Sequence, residues 1–210
     1  TLSHNYSAGN HVVRVYSDGV YRPFFVGIIA DANQIISVAI SSGADLGTNL
    51  NNAWQGANYM TTFTCPFDVT SSVTSFNQTW GNCSSITSFP LLDISSGTDF
   101  YSTWRSCASL TSFPSSLDTS SGTNFEAAWY RCTSLTSFPL LDISSGTRFT
   151  YSWLYCNSLS DFPANMFDTT GTLVATAFTN AWLGCALTAQ SIENILVSLD
   201  TNGATGITLS

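Results

Sequence analysis

The chain has 210 residues, a length typical of one domain, and carries 5 basic and 13 acidic residues for a formal net charge of −8. This charge excludes a nucleic-acid-binding surface and a polybasic membrane anchor, because both need clustered cations. Hydrophobic residues make up 44% of the chain, too many for a disordered protein, yet no apolar run is long enough to cross a bilayer. We therefore expect a globular domain.

Residues 1–40 are predicted to form an N-terminal β cap or linker region. Val13 and Val15 alternate with polar residues, the segment 17–19 reads Ser-Asp-Gly, and an apolar stretch runs from Tyr21 to Ile29. Alternation followed by turn residues and a second apolar run is typical of a β-hairpin.

Residues 41–187 contain a repeat of about 25 residues. Its tryptophans are separated by 24 to 29 residues, and five of the six are followed by Cys at the third position and preceded by Phe at the fourth. The unit is F-x-x-x-W-x-x-C. The tryptophans are Trp54, Trp80, Trp104, Trp129, Trp153 and Trp182, and the cysteines are Cys83, Cys107, Cys132, Cys156 and Cys185.

Positions i, i+4 and i+7 share one face of an α-helix, so this spacing predicts a short helix in each repeat with Phe, Trp and Cys pointing inward. Thr98, Thr123 and Thr147 each follow a glycine just before the unit. Threonine at that place is typical of a helix N-cap.

A second pattern follows each cysteine and predicts a short parallel strand and a turn. The strand segments read Ser-Phe-Pro at 88–90, 112–114 and 137–139, and the turns contain an aspartate followed by small polar residues and glycine. A unit this small cannot bury its own apolar face, so copies must stack with like residues in columns.

Residues 188–210 are predicted to be a capping helix and strand. Ile192, Ile195, Leu196 and Leu199 have helical spacing, the helix is predicted to end near Gly203, and a closing strand is expected over 207–209.

The repeats resemble BspA-like leucine-rich repeats, a family of surface and virion proteins, over roughly Leu50 to Leu187. The resemblance rests on C-x-S-L-T-S-F-P, on the D-x-S-S-G turn and on the aromatic pair before each cysteine. It implies an α/β repeat solenoid of about six repeats: a leucine-rich-repeat-like right-handed coil with short parallel strands and short helices. Family function transfers weakly, because such repeats are scaffolds with varied partners.

The cysteine column admits two interpretations. One cysteine per repeat favours buried, reduced thiols that bond to turn backbone, whereas a disulfide between neighbouring repeats is also sterically allowed. Cys65 lies outside the column. No paired Cys or His spacing of a zinc site occurs, so we expect no metal there.

The aspartate column also admits two interpretations. Stacked carboxylates are suitable ligands for Ca²⁺, but each repeat supplies only one, and we favour carboxylates that accept hydrogen bonds from their own turns. The column consists of Asp68, Asp93, Asp118, Asp142 and Asp168.

No enzyme motif is found, so we expect no catalytic residues and no cofactor. The two histidines, His4 and His11, lie in the predicted hairpin, and neither has a nucleophile in a recognisable arrangement.

The predicted surface is neutral and rich in hydroxyl groups. Ser88, Ser112 and Ser137 are expected to point outward beside a proline column formed by Pro90, Pro114, Pro139 and Pro163. Tyr101, Tyr130 and Tyr155 are candidates for stacking on sugar rings, with coverage of the repeat surface as the alternative.

These features predict a non-enzymatic, extracellular adhesion or recognition module. Our first choice is a bacteriophage tail fibre or other virion surface protein that contacts a host-surface glycan or protein, since the lysine-free composition rich in Ser, Thr and Gly resembles viral fibres. The alternatives are a structural or decoration protein that binds neighbouring subunits, and a bacterial cell-surface adhesin.

Overall fold

The computed structural model describes residues 11–15, 35–40, 42, 46–171, 173 and 175–207. Its strands are β1 (His11–Val15), β2 (Ile35–Ile40) and β3 (Thr62–Thr64). Two 3₁₀ helices cover Phe67–Thr70 and Ala175–Phe178, and the α-helix α1 covers Ala189–Asn202. Most of the chain between β3 and α1 consists of turns and short connections that stack on one another.

The three strands form a parallel sheet in the order β1-β2-β3. Val13 is opposite Val38, and Val38 is opposite Phe63, so partners lie one repeat length apart in the sequence. The described partner of β1 is thus a parallel strand, whereas a hairpin would give an antiparallel one. The rest of the predicted hairpin, including the stretch from Tyr21 to Ile29, lies outside the described residues.

The prediction of a helix in each F-x-x-x-W-x-x-C unit is wrong. Each unit is a series of hydrogen-bonded turns: in one repeat Thr79 N donates to Phe76 O at 3.0 Å, and Cys83 N donates to Trp80 O at 3.1 Å. The third residue of each of these turns has a positive φ, 54° at Gln78 and 63° at Asn82, as in type II turns. A right-handed helix cannot contain such residues.

The remaining backbone donors of each unit explain why turns replace a helix. Alternate N–H groups point along the stack and donate to the following repeat, as Trp80 N does to Thr103 O and Trp104 N to Ala128 O, both at 2.9 Å. In a helix the same groups would bond within their own segment. The turns therefore tie each repeat to the next.

The predicted threonine N-caps are also wrong, because there is no helix for them to cap. Thr98, Thr123 and Thr147 instead use their hydroxyl groups to donate to a threonine carbonyl of the preceding repeat, at 3.1 to 3.2 Å. The threonines thus add side-chain hydrogen bonds between neighbouring repeats.

The inward orientation of the aromatic residues is confirmed. The six indole rings form the tryptophan column, in which successive rings lie 5.4 to 6.2 Å apart and nearly parallel. Phe76, Phe100, Phe125, Phe149 and Phe178 stack beside it at 5.2 to 5.5 Å. On its other side the phenylalanines of the Ser-Phe-Pro segments meet the indoles edge to face, for example Phe113 with Trp104 at 4.9 Å. Together these columns form the core.

The strands of the interior repeats are reduced to single parallel bridges. Ser88 pairs with Ser112, and Ser137 with Asp161. Each Ser-Phe-Pro segment ends in proline, which has no N–H to donate to a ladder, so the pairing stops there. A second row of bridges joins the residues that precede the turn phenylalanines, beginning with Asn49 and Ser75.

The glycine before each threonine is required by the phenylalanine stack. A Cβ on Gly122 would lie 2.9 Å from Cε2 of Phe125 and 3.0 Å from Cε2 of Phe100. The backbone at Gly122 can approach the stacked rings this closely only because it carries no side chain.

Helix α1 ends the stack by replacing the hydrogen-bond partners that another repeat would offer. Ser191 Oγ accepts from Phe162 N at 2.9 Å and donates to Ser160 O at 2.9 Å, while Ser198 Oγ accepts from Phe167 N at 2.8 Å. Buried backbone groups of the last repeat therefore keep partners.

The predicted end of α1 near Gly203 is confirmed, but its predicted buried face is partly wrong. Thr188 is the N-cap and Gly203, with φ of 77°, is the C-cap. Ile195 and Leu199 are buried with the two serines, whereas Ile192 and Leu196 are exposed. The serines lie inward because they bond the last repeat. In the predicted closing strand, Ile207 has no strand assignment, and residues 208–210 lie outside the described part.

Gly122→Ala is expected to destabilise the protein by about 1–3 kcal/mol, because the new methyl group would overlap the stacked phenylalanine rings. Gly171→Ala is the matched control. Gly171 likewise lies between a column aspartate, Asp168, and a threonine, but it is seven residues before the turn phenylalanine rather than three, and a Cβ there would meet no atom within 4 Å. Urea unfolding should show a lower midpoint for Gly122→Ala and an unchanged or slightly higher one for Gly171→Ala. Equal effects would contradict this account of the stack.

Ser191→Ala is expected to lower the free energy of unfolding by about 1–3 kcal/mol, since Phe162 N loses its acceptor in a buried position. Thr201→Ala, which removes an exposed hydroxyl that bonds only within α1, should change it by less than about 0.5 kcal/mol. Thermal or urea unfolding measures both. A neutral Ser191→Ala would mean that α1 caps the stack through apolar contacts alone.

Candidate binding surface

In three consecutive repeats, the second and first residues before the cysteine include four large cationic or aromatic side chains on the outer side of the turns. We name this group the Arg-Tyr cluster, and it consists of Arg105, Tyr130, Arg131 and Tyr155. Because the repeats stack in register, residues that are about 25 positions apart become neighbours.

Cation-π contacts hold the cluster together. The guanidinium carbons of Arg105 and Arg131 each lie 5.2 Å from the centroid of the Tyr130 ring, and that of Arg131 lies 5.6 Å from the centroid of Tyr155. The two tyrosine rings are 6.1 Å apart. Each such contact contributes about 0.5–1 kcal/mol at an exposed site, so the rings orient the arginines outward.

The two arginines of the cluster lie within ion-pair distance of no carboxylate that the structure describes. Within the described residues, neither Arg105 nor Arg131 forms an ion pair, whereas Arg148 pairs with Glu126 at 2.9 Å. The cluster is therefore a local cationic site on a chain whose net charge is −8.

An open groove of about 400 Å³ lies at one end of the cluster and is lined by Arg131, Thr133, Tyr155 and Asn157. The Tyr155 ring lies against Gly184, where a Cβ would be 2.7 Å from Cδ1 of the ring. With its amide oriented to suit its neighbours, Asn157 donates to Gly184 O at 2.9 Å and to Tyr155 O at 3.2 Å. These contacts fix one wall of the groove.

The expected outward column of serines is observed. Ser88 and Ser112 are exposed and Ser137 is half-buried, while the phenylalanine that follows each is buried and the four prolines are half-buried. Of the three tyrosine candidates, Tyr130 and Tyr155 meet in the cluster. Tyr101 is half-buried and lies apart from it in the turn that begins after Phe100.

Three of the five column aspartates, Asp93, Asp118 and Asp142, form turn hydrogen bonds, the interpretation that we favoured. Oδ1 of Asp93, Asp118 and Asp142 accepts from the backbone N–H of the serine two residues later, at 2.9 to 3.2 Å. Asp118 accepts hydrogen bonds from both the hydroxyl and the backbone N–H of Ser120, and these bonds lower its pKa, the hydroxyl having the larger effect. Asp168 accepts from Ser198 instead. No group of three His, Cys, Asp or Glu residues suited to a metal ion occurs in the part of the chain described.

The column cysteines are reduced thiols that bond to turn backbone, the first of our two interpretations. Each Sγ donates to the tryptophan carbonyl of the preceding repeat at 3.0 to 3.2 Å, as Cys107 does to Trp80 O. All six cysteines are free. Burial raises the pKa of Cys83 to about 12, and it raises the pKa of Cys107 and Cys132 well above the usual value. Such thiols are poor nucleophiles at neutral pH.

His4 lies outside the described residues, and His11 lies in β1.

Four residues of the cluster and groove were not predicted from the sequence: Arg105, Arg131, Thr133 and Asn157. The available signal was positional: Arg105 and Tyr130 both stand two residues before a cysteine, and Arg131 and Tyr155 stand directly before one.

Among the described residues, the search for a helix both long and apolar enough to span a membrane finds none.

The thiol column predicts a loss of stability at alkaline pH. The pKa of Cys83 is 9.0 unperturbed and about 12 when folded, so the unfolded chain releases this proton first as pH rises. The contribution to stability is fully present below pH 9 and is lost between about pH 9 and 12. Urea midpoints should therefore fall between pH 8 and 11.

Cys83→Ser keeps a donor that does not titrate in this range, so its midpoint should fall less steeply with pH than that of the parent protein. Identical pH dependence in the two proteins would contradict a thiol origin.

Comparison with known proteins gives distant neighbours among solved structures. No protein-family model matches the chain, and no curated protein matches it. Among solved structures, the chain is similar to a leucine-rich repeat protein from Bacteroides ovatus, at 12% identity and a TM-score of 0.22. The match covers 74% of this chain and 66% of that protein, slightly under two thirds of its length.

Proposed function

We propose that the protein is a non-enzymatic recognition module that acts outside cells, and that its stacked repeats form a BspA-like leucine-rich-repeat solenoid. One observation carries the proposal: a rigid aromatic core presents rows of outward side chains, and one of these rows creates a cationic, aromatic groove beside Arg131 and Tyr155. Binding surfaces are most effective when rigid elements hold the contacting side chains.

The hydrogen bonds formed by the cysteines and aspartates support a role without catalysis. The column thiols are buried donors to backbone carbonyls, and three of the turn aspartates accept hydrogen bonds from serines. These side chains stabilise the repeats. The side chains that a partner can contact at the surface are arginine, tyrosine, serine, threonine and asparagine, residue types common in recognition surfaces.

The carrier that we propose is a virion, with a bacteriophage tail fibre as the first choice and a bacterial cell surface as the alternative. The support is compositional: the chain has no lysine, only 9% charged residues, and repeats rich in serine and threonine. The partner is a glycan or protein of the host surface.

Fluorescently labelled protein is expected to bind intact cells of a susceptible bacterium saturably, with competition by unlabelled protein. Tyr130→Ala, which removes the ring that both arginines of the cluster contact, should weaken this binding at least about tenfold. Thr201→Ala on the outer face of α1 should leave it unchanged. Flow cytometry over a panel of strains measures all three proteins.

A different result would favour the second candidate function, a structural protein that binds copies of itself. The observation behind this candidate is the exposed apolar side of α1, where Ile192, Leu196 and Val197 are 39%, 47% and 52% exposed. Failure to bind any strain, together with self-association in light scattering that Leu196→Glu abolishes, would overturn the recognition proposal.

A further inference from the structure

The Arg-Tyr cluster brings two like charges to one aromatic ring. The guanidinium groups of Arg105 and Arg131 both lie 5.2 Å from the Tyr130 centroid, and no carboxylate among the described residues pairs with either. The negative face of the ring attracts both cations but does not neutralise their charge. An anionic group bound at this place would therefore meet positive charge that has no carboxylate partner among the described residues.

The backbone conformation of the groove residues is the one that the turn units of the stack adopt. Arg131 has φ of 59° and Tyr155 has φ of 61°, and Ser106 at the same position has φ of 58°. The N–H groups of Arg131 and Tyr155 donate to Leu154 O at 2.9 Å and to Leu183 O at 2.8 Å on the following repeat. The stack therefore fixes the places from which these two exposed side chains extend.

The polar groups of the groove complement the hydroxyl groups of a sugar. Thr133 Oγ1 donates to Ala108 O at 3.3 Å, so its lone pairs remain to accept a hydrogen bond. The Asn157 amide nitrogen donates to Gly184 O and Tyr155 O, so its oxygen is oriented as an acceptor. The Tyr155 ring, 39% exposed, offers an apolar surface of the kind on which sugar rings stack.

We propose that this groove binds a carboxylate-bearing sugar residue, with the carboxylate on Arg131, the sugar ring against Tyr155, and sugar hydroxyl groups donating to Thr133 and Asn157. Arg105 strengthens the positive potential through its place on the Tyr130 ring. A planar guanidinium pairs with a carboxylate through two parallel hydrogen bonds, which gives the site its selectivity for the acid over the neutral sugar. The proposal rests on the proposed recognition function and names the ligand class of its groove.

The ligand test is a glycan array on which each oligosaccharide containing sialic or uronic acid is printed beside its carboxyl-reduced counterpart. For the pair that binds best, calorimetry should show that the acidic oligosaccharide binds at least about tenfold more tightly than its carboxyl-reduced counterpart. This is the ratio expected from one bidentate charged contact. Its affinity should fall as salt is raised from 0.05 to about 0.5 M, since exposed charge pairs are screened. Equal affinity for acid and reduced sugar, or binding of neutral or sulfated sugars alone, would overturn the proposal.

The residue test uses Arg131→Asn. Asparagine tolerates the backbone conformation at this position, as Asn82 does in an earlier repeat with φ of 63°, so the gain in backbone preference offsets the two lost cation-π contacts and the variant should fold like the parent protein. Its affinity for the acidic sugar should fall at least about tenfold while affinity for the reduced sugar is unchanged. Arg148→Gln is the matched control: it removes the same charge from an arginine paired with Glu126 away from the groove. Equal losses in both variants would show a general charge effect and overturn the site.

The same variants separate this proposal from the proposed function. Cells that are bound equally well by the parent protein and Arg131→Asn would refute the acidic-sugar site and leave surface recognition standing. A protein that binds neither cells nor any glycan would refute both.

Discussion

The structure depends on a shared requirement of every repeat: half of the backbone N–H groups in each turn unit must find acceptors on the next repeat. Trp80 N and Trp104 N meet this requirement through carbonyls at 2.9 Å. The same register brings the indole rings to 5.4 to 6.2 Å and the thiols within reach of the tryptophan carbonyls. Hydrogen bonding along the stack and aromatic packing across it thus reinforce each other, which is typical of repeat proteins with nearest-neighbour contacts.

A stack of this kind creates a problem at its end, because the last repeat has donors and acceptors with no repeat beyond them. Helix α1 solves it with side chains. Ser191 and Ser198 accept from the backbone of Phe162 and Phe167, and Asn194 donates to Phe162 O at 2.9 Å. The buried side of α1 is consequently half polar, and part of its apolar side faces solvent. Hydrogen bonds to the buried backbone groups stabilise the fold more than the burial of two further aliphatic side chains of α1 would.

Because the repeats stack in register, the side chains at one position of the repeat form a row on the surface. Arg105 and Tyr130 meet because they occupy the same place in consecutive repeats, as do Arg131 and Tyr155. Substitution at a single position can therefore change the chemistry of the outer face without disturbing the core. The groove beside Tyr155 is an example, since its wall depends on a glycine in the next repeat.

The sequence by itself determined the repeat length, the inward Phe, Trp and Cys of each repeat and the end of α1 near Gly203, because these follow from periodicity and local chemistry. For the thiols and the aspartates it favoured one of two interpretations without deciding between them. It did not distinguish a helix from a series of turns in F-x-x-x-W-x-x-C, since both place Phe, Trp and Cys on one side. Positive φ at Gln78 and Asn82 is decided by acceptors on the next repeat. Only the tertiary structure decided the inward face of α1 and the contact of Arg131 with Tyr130 and Tyr155, because both depend on the register in which the repeats stack.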